Sequence, residues 1–236
     1  MKAAKPILMA VVLSVFGGFA TGAEFYVAPE GDDAHPGTKE LPWATVEHAV
    51  EAARARPGPR KIVIRPGSVA VTDETAASGK HSLKFTDAAR LQQLYAPYVT
   101  YPLEVESGVL HAGFDLRLEP EADFAYEWRD DPYTYHLGPR LSVDGQGWLS
   151  ANGKRLAQLP TGQWLRIDLQ CGLGPQATGG YDLTLRVPGG EPQVHRNLAC
   201  SAQFNTLACV VVMSLTDGPT AFYLDNLEFR PLPQRR

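Results

Sequence analysis

The chain has 236 residues, 22 Lys and Arg against 26 Asp and Glu, and a formal net charge of −4. Hydrophobic residues make up 44% and charged residues 20%, which excludes a chain too polar to form a core. The acidic balance lacks the electrostatic footprint of a nucleic-acid or acidic-lipid binder, and 22 Gly with 19 Pro favour turn-rich β architecture over a helical bundle.

The first residues read as an export signal. Lys2 and Lys5 supply the positive start and residues 7–20 are apolar. Thr21-Gly22-Ala23 then puts small residues before Glu24. The run is short for a membrane span of about 20 residues, so cleavage is expected, with residues 1–23 as the signal. The mature chain is expected to be secreted or periplasmic. Export permits disulfides, and the cysteines are Cys171, Cys200 and Cys209, enough for one intrachain pair. Cys171 and Cys200 end strand candidates at the same end of a meander, which favours that pairing while connectivity stays open.

Residues 24–67 read as a small β-α-β segment. Glu24 to Ala28 is a short strand, and Pro29 to Pro42 a polar loop in which Gly31-Asp32-Asp33 reads as a solvated turn. Thr45 can N-cap a helix carrying Val46, Ala49, Val50 and Ala53 at helical spacing, stopped by Pro57-Gly58-Pro59. Lys61 to Arg65 is a second strand.

Residues 68–232 read as one all-β domain followed by a tail at 233–236. Phe114, Leu116 and Leu118 alternate with Asp115 and Arg117. Leu165, Ile167 and Leu169 alternate with Arg166 and Asp168, and Tyr181, Leu183 and Leu185 with Asp182 and Thr184. One dry and one wet strand face give this pattern, as in an antiparallel sandwich. Turn signals at Asp144-Gly145, Asn152-Gly153, Pro188-Gly189-Gly190 and Asp217-Gly218-Pro219 separate the runs. The fold class expected is a two-sheet antiparallel jelly-roll sandwich.

Two resemblances add to this reading. Phe25 to Pro29, Gly31 to Asp33, Pro36 to Thr38 and Pro42 to Thr45 resemble the N-terminal cap of secreted pectate-lyase-like right-handed β-helix proteins, although no solenoid repeat follows. Val71 to Phe85 and Phe222 to Phe229 resemble the opening and closing strands of carbohydrate-binding jelly rolls. Gly147-Trp148-Leu149, Asn152-Gly153 and Gln163 to Asp168 resemble the middle of LamG-like, concanavalin-A-like domains. The resemblance implies a sandwich that hosts lectins, binding modules and enzymes alike. It also implies one structural Ca²⁺ between the opening and closing strands, held by Glu74, carbonyls around Ser78 to Lys80, and Asp225.

Three function classes remain. A glycosidase of this sandwich would carry paired carboxylates on one strand face; Glu121, Asp123 and Glu127 share parity but miss the required spacing. A glycan-binding surface needs rings for stacking and charged groups for hydroxyls. Phe124 to His136 concentrates both types. If Phe124, Tyr126 and Trp128 face the core, Asp115, Arg117, Glu127, Arg129 and His136 form a polar row on the open face. If the aromatic row is outside, Trp128 stacks on sugar. Tyr95, Tyr98 and Tyr101 lie in a Pro-interrupted loop, as stacking platforms or as a lid packed on a sheet, while Trp148 and Trp164 are expected in the core. The reading is a secreted, non-catalytic jelly-roll module that binds polysaccharide or glycan. The alternatives are a polysaccharide-active enzyme, or a structural or protein-interaction domain of the cell envelope.

Overall fold

The computed structural model describes residues 23–233, apart from 29–30, 46–47, 50, 53–54, 56–59, 65–67, 90, 92 and 94. Nearly all of the proposed signal, residues 1–22, lies outside them, as does the tail beyond residue 233.

The N-terminal unit pairs β1 (Ala23–Val27) with β2 (Arg60–Ile64) in parallel. Residues 48, 49, 51 and 52 between them are helical, and Thr45 caps that turn by accepting the His48 N–H at 3.3 Å. Phe25, Val27, Trp43 and Ala49 form its own small apolar cluster. Asp33 is not a free solvated residue. Its carboxylate accepts the Ala44 and Thr45 amides at 3.0 and 2.9 Å and the Thr45 hydroxyl at 2.7 Å, which fastens the loop to the start of the helical turn.

The rest is a two-sheet sandwich. Its strands in chain order are β3 (Ser68–Thr72), β4 (Ser82–Thr86), β5 (Tyr98–Val105), β6 (Gly108–Leu118), β7 (Phe124–Arg129), β8 (Leu137–Val143), β9 (Trp148–Ala151), β10 (Lys154–Gln158), β11 (Trp164–Leu173), β12 (Gly180–Arg186), β13 (Gln193–Ala199), β14 (Leu207–Ser214) and β15 (Ala221–Leu232). One sheet has six strands in the order β10-β9-β8-β7-β14-β5, and the other seven in the order β13-β12-β11-β6-β15-β4-β3. Every pairing in the two sheets is antiparallel.

The alternating runs explain the layers. Phe114, Leu116, Leu118, Leu165, Ile167, Leu169, Tyr181, Leu183 and Leu185 all point inward, and β7 adds Phe124, Tyr126 and Trp128 from the facing sheet. Phe114 meets Tyr126 at 4.7 Å between ring centres, and Phe85 stacks on Phe222 at 4.4 Å. Two polar groups inside this layer satisfy each other, the Trp128 indole N–H donating to the Tyr126 hydroxyl at 2.9 Å. A second cluster, Ala125, Cys209, Val211 and Met213, is also buried but sits on the opposite face of the six-stranded sheet.

Candidate functional site: the outer face of the seven-stranded sheet

Because Leu165, Ile167 and Leu169 face inward, their neighbours Trp164, Arg166, Asp168 and Gln170 face out. The register sets them opposite Arg117, Asp115, Gly113 and His111 of β6, and β12 adds Arg186 opposite Arg166. On the other side of β6, β15 sets Tyr223 opposite Arg117 and Asp225 opposite Asp115. A register shift then brings Glu228 opposite Gly113.

Arg166 is the hub of this face. Its guanidinium donates to Glu228 Oε1 at 2.5 Å, to Asp168 Oδ1 at 3.2 Å and to the Asn226 carbonyl at 3.2 Å, and lies 3.9 Å from Asp115 Oδ2. Asp168 also accepts from Arg186 and pairs with His111 Nε2 at 3.2 Å. Gly113 makes room for this: a Cβ there would collide with the Arg166 guanidinium and approach Asp168 Oδ1 to 2.8 Å. An open depression of about 300 Å³ adjoins the hub, lined by Ala77, Asp115, Trp164, Arg166, Arg186 and Pro188.

His111, Asp168 and Glu228 converge closely enough to be weighed as metal ligands. His111 is buried, and its Nδ1 lies 4.0 Å from Glu228 Oε1. Both carboxylates, however, already accept the Arg166 guanidinium, so an arginine stands where a metal cation would gain its charge complement.

The structure divides the residues expected in one glycan site. Asp115 and Arg117 lie on this face, Arg117 donating to Glu119 at 3.1 Å. Glu127 and Arg129 lie on the outer face of the six-stranded sheet, on the far side of the core. There the Glu127 carboxylate accepts Arg129 at 2.6 and 3.0 Å and Arg140 at 2.9 Å, while Arg129 stacks on the Tyr135 ring at 3.9 Å. The single polar row is therefore two rows on opposite faces. Trp128 is fully buried and cannot stack on a sugar. His136 is taken up by Asp130, which accepts its ring Nδ1 at 2.8 Å and its amide at 2.6 Å. Tyr95 and Tyr98 are exposed and meet edge to face at 5.6 Å, but Tyr98, expected in a loop, is the first residue of edge strand β5. Tyr101, expected in the same loop, lies within β5 and stacks on Phe229 at 5.5 Å.

Trp148 and Trp164 are not core residues. Each is partly exposed beside an inward leucine, Leu149 or Leu165. Trp164 donates to the Thr75 hydroxyl at 3.1 Å, and Arg155 stacks on Trp148 at 4.7 Å. The Leu165 parity was the signal that could have found Trp164.

The acidic sets also separate. Glu121 sits in a turn at φ 63° and Asp123 precedes β7, so neither shares the strand face of Glu127. Burial and nearby Asp144 raise the Asp123 carboxyl above its ordinary range. Glu74 accepts Lys84 at 2.6 Å and the Tyr223 hydroxyl at 2.9 Å, and Asp225 accepts the Ala77 and Ser78 amides at 2.8 and 3.0 Å. These contacts lower the Glu74 carboxyl below its ordinary value, the Lys84 hydrogen bond foremost. An ammonium and two amide donors fill the places a Ca²⁺ ion would need, so Glu74 and Asp225 as arranged do not fit that ion.

Two antiparallel sheets closed over one apolar layer, with a charged and aromatic outer face, define a jelly-roll β-sandwich. The chain is similar to the crystal structure of endo-β-1,4-glucuronan lyase from the fungus Trichoderma reesei, at 13% identity and a TM-score of 0.51 over 70% of this chain and 87% of that one. It is also similar to the marine PL-14 alginate lyase from Aplysia kurodai, at 10% identity and a TM-score of 0.50 over the same shares. At such identities the likeness is one of fold. No protein-family model matches the chain, and no curated protein matches it.

Proposed function

We propose that the chain is an exported jelly-roll module that binds polysaccharide or glycan on the outer face of its seven-stranded sheet, without catalysis. The observation that carries this is the depression where the Trp164 ring meets Arg166, Arg186 and Asp115. Its volume of about 300 Å³ is at the small end of ligand sites, which span roughly 300–1,000 Å³. A half-exposed indole offers an apolar face for a sugar ring, and guanidinium and carboxylate groups read hydroxyls. The acids around Arg166 are held by arginine or amide donors, which leaves no unpaired carboxylate couple for acid–base work there.

A second reading is a polysaccharide lyase acting on the same face. It is favoured by the two similar structures, a glucuronan lyase and an alginate lyase, and by His111 beside Asp168.

The test is a polysaccharide panel probed with residues 24–236, with and without EDTA, scored for binding and for unsaturated, ultraviolet-absorbing products. The binding reading expects one glycan class to be retained without products and irrespective of EDTA. Trp164→Ala and Arg166→Ala should each weaken retention about tenfold or more, about 1.4 kcal/mol. Arg129→Ala, on the far face, should leave it unchanged. Product release abolished by His111→Ala would establish the lyase reading instead. Silence across the panel would sink both and move the weight to a scaffold role in the cell envelope.

A further inference from the structure

We propose that Cys171 and Cys200 close a disulfide that ties β11 to the end of β13, while Cys209 stays a thiol. In the structure all three are free thiols. The order β13-β12-β11 and its register bring the first two together: Cys171 pairs with Tyr181 of β12, and Gly180 pairs with Ala199, the residue before Cys200. Cys171 Sγ lies 3.9 Å from the Gly180 carbonyl, and the Cys200 amide donates to the Gly179 carbonyl at 2.9 Å. Both cysteines thus sit at the Gly179-Gly180 end of β12, and Cys200 packs against the apolar cluster that contains Cys171.

Cys209 is excluded by topology. It lies on β14 of the other sheet, on the face turned away from the core, with Ala125, Val211 and Met213. Cys171 belongs to the core layer between the sheets. Three cysteines allow three pairings, and the fold leaves one.

The two partners differ in a way that orders the chemistry. Cys200 is partly exposed and Cys171 buried. The neighbouring Cys171 lowers the Cys200 thiol below its ordinary range, and Cys200 together with burial raises Cys171. Cys200 is therefore the first nucleophile toward a small disulfide such as oxidised glutathione. Its thiolate attacks one sulfur of the oxidant and expels one glutathione thiolate, leaving a mixed disulfide. Cys171 then loses its proton and attacks Cys200 Sγ, expelling the second. Two protein thiols are oxidised and one glutathione disulfide is reduced to two thiols. This proposal does not rest on the glycan reading.

The test equilibrates the full chain in an oxidising glutathione buffer, blocks remaining thiols with iodoacetamide, and maps peptides by mass spectrometry. The expected result is one linked pair containing Cys171 and Cys200, with Cys209 alkylated, and a Tm several degrees lower after reduction. Cys209→Ser should keep the link and the reduction-sensitive Tm. Alkylation at all three positions, or a link through Cys209, would overturn the proposal.

Discussion

At the scale of single residues, two buried carboxylates have opposite fortunes. Glu127 is 6% exposed but held by Arg129 and Arg140. Removing one member of a buried charge pair costs about 3–5 kcal/mol, and less where a partner reaches water, as Arg140 does. Glu127→Ala should therefore cost about 2 kcal/mol, or about 4–8 °C in Tm, and Glu127→Gln less, as read by thermal melts. Asp87 is 2% exposed, and its Oδ2 has no hydrogen-bond partner. Burial raises its carboxyl above the ordinary 3.8. The folded chain then binds this proton more readily than the unfolded chain, so the burial penalty grows as pH rises from about 3.8 through the folded value. Asp87→Asn should melt a few degrees higher than the parent at pH 7, with the gain gone by about pH 3.8. A parent as stable as the variant at pH 7 would contradict this. Neither fate was legible in the sequence, because burial of a single acid depends on what the chain brings over it from elsewhere.

At the scale of strands, alternation was legible and partnership was not. The runs at Leu116, Ile167 and Leu183 correctly mark one dry and one wet face. Glu127 and Arg129 carry the same alternating signature as Asp115 and Arg117, yet β7 pairs with β14 and β6 with β15, contacts 80 to 123 residues apart in the chain. Short-range spacing cannot carry that information. Trp164 shows the complementary error: its own strand's parity placed it outside, and only the habit of burying indoles placed it inside. Gly113 is the position where an element feature meets the candidate site. A methyl there would displace the Arg166 guanidinium, which four partners now hold still. Gly113→Ala should weaken glycan retention severalfold while leaving the far-face Glu127 cluster intact. Calorimetry should locate the loss in entropy, because a guanidinium freed from its partners must be ordered again on binding. Retention equal to the parent would detach Arg166 from the binding role.

At the scale of the molecule, two apolar clusters of very different size share one chain. Phe25, Val27, Trp43 and Ala49 form the small cluster, apart from the sandwich core. A core that small is marginal alone, so heating should melt it first. Trp43→Ala should shift only the lower of two calorimetric transitions, and a single transition moved as a whole would show the units to be coupled. The Pro66-Gly67 stop and the change from helical to alternating spacing are the sequence signals for a division near residue 67. The chain enters the sandwich at Ser68, level with Thr86 and Ala221, and leaves it at Leu232, beside Val109. Strands β3 and β15 thus run the same way with β4 between them. Along β15, entry and exit stand at most about 36 Å apart, from ~3.3 Å for each step between its 12 residues. A pull between those two points loads the hydrogen bonds of β4 and β15 side by side, in shear, instead of peeling them one at a time. A module built this way can hold a mechanical tether taut without unzipping.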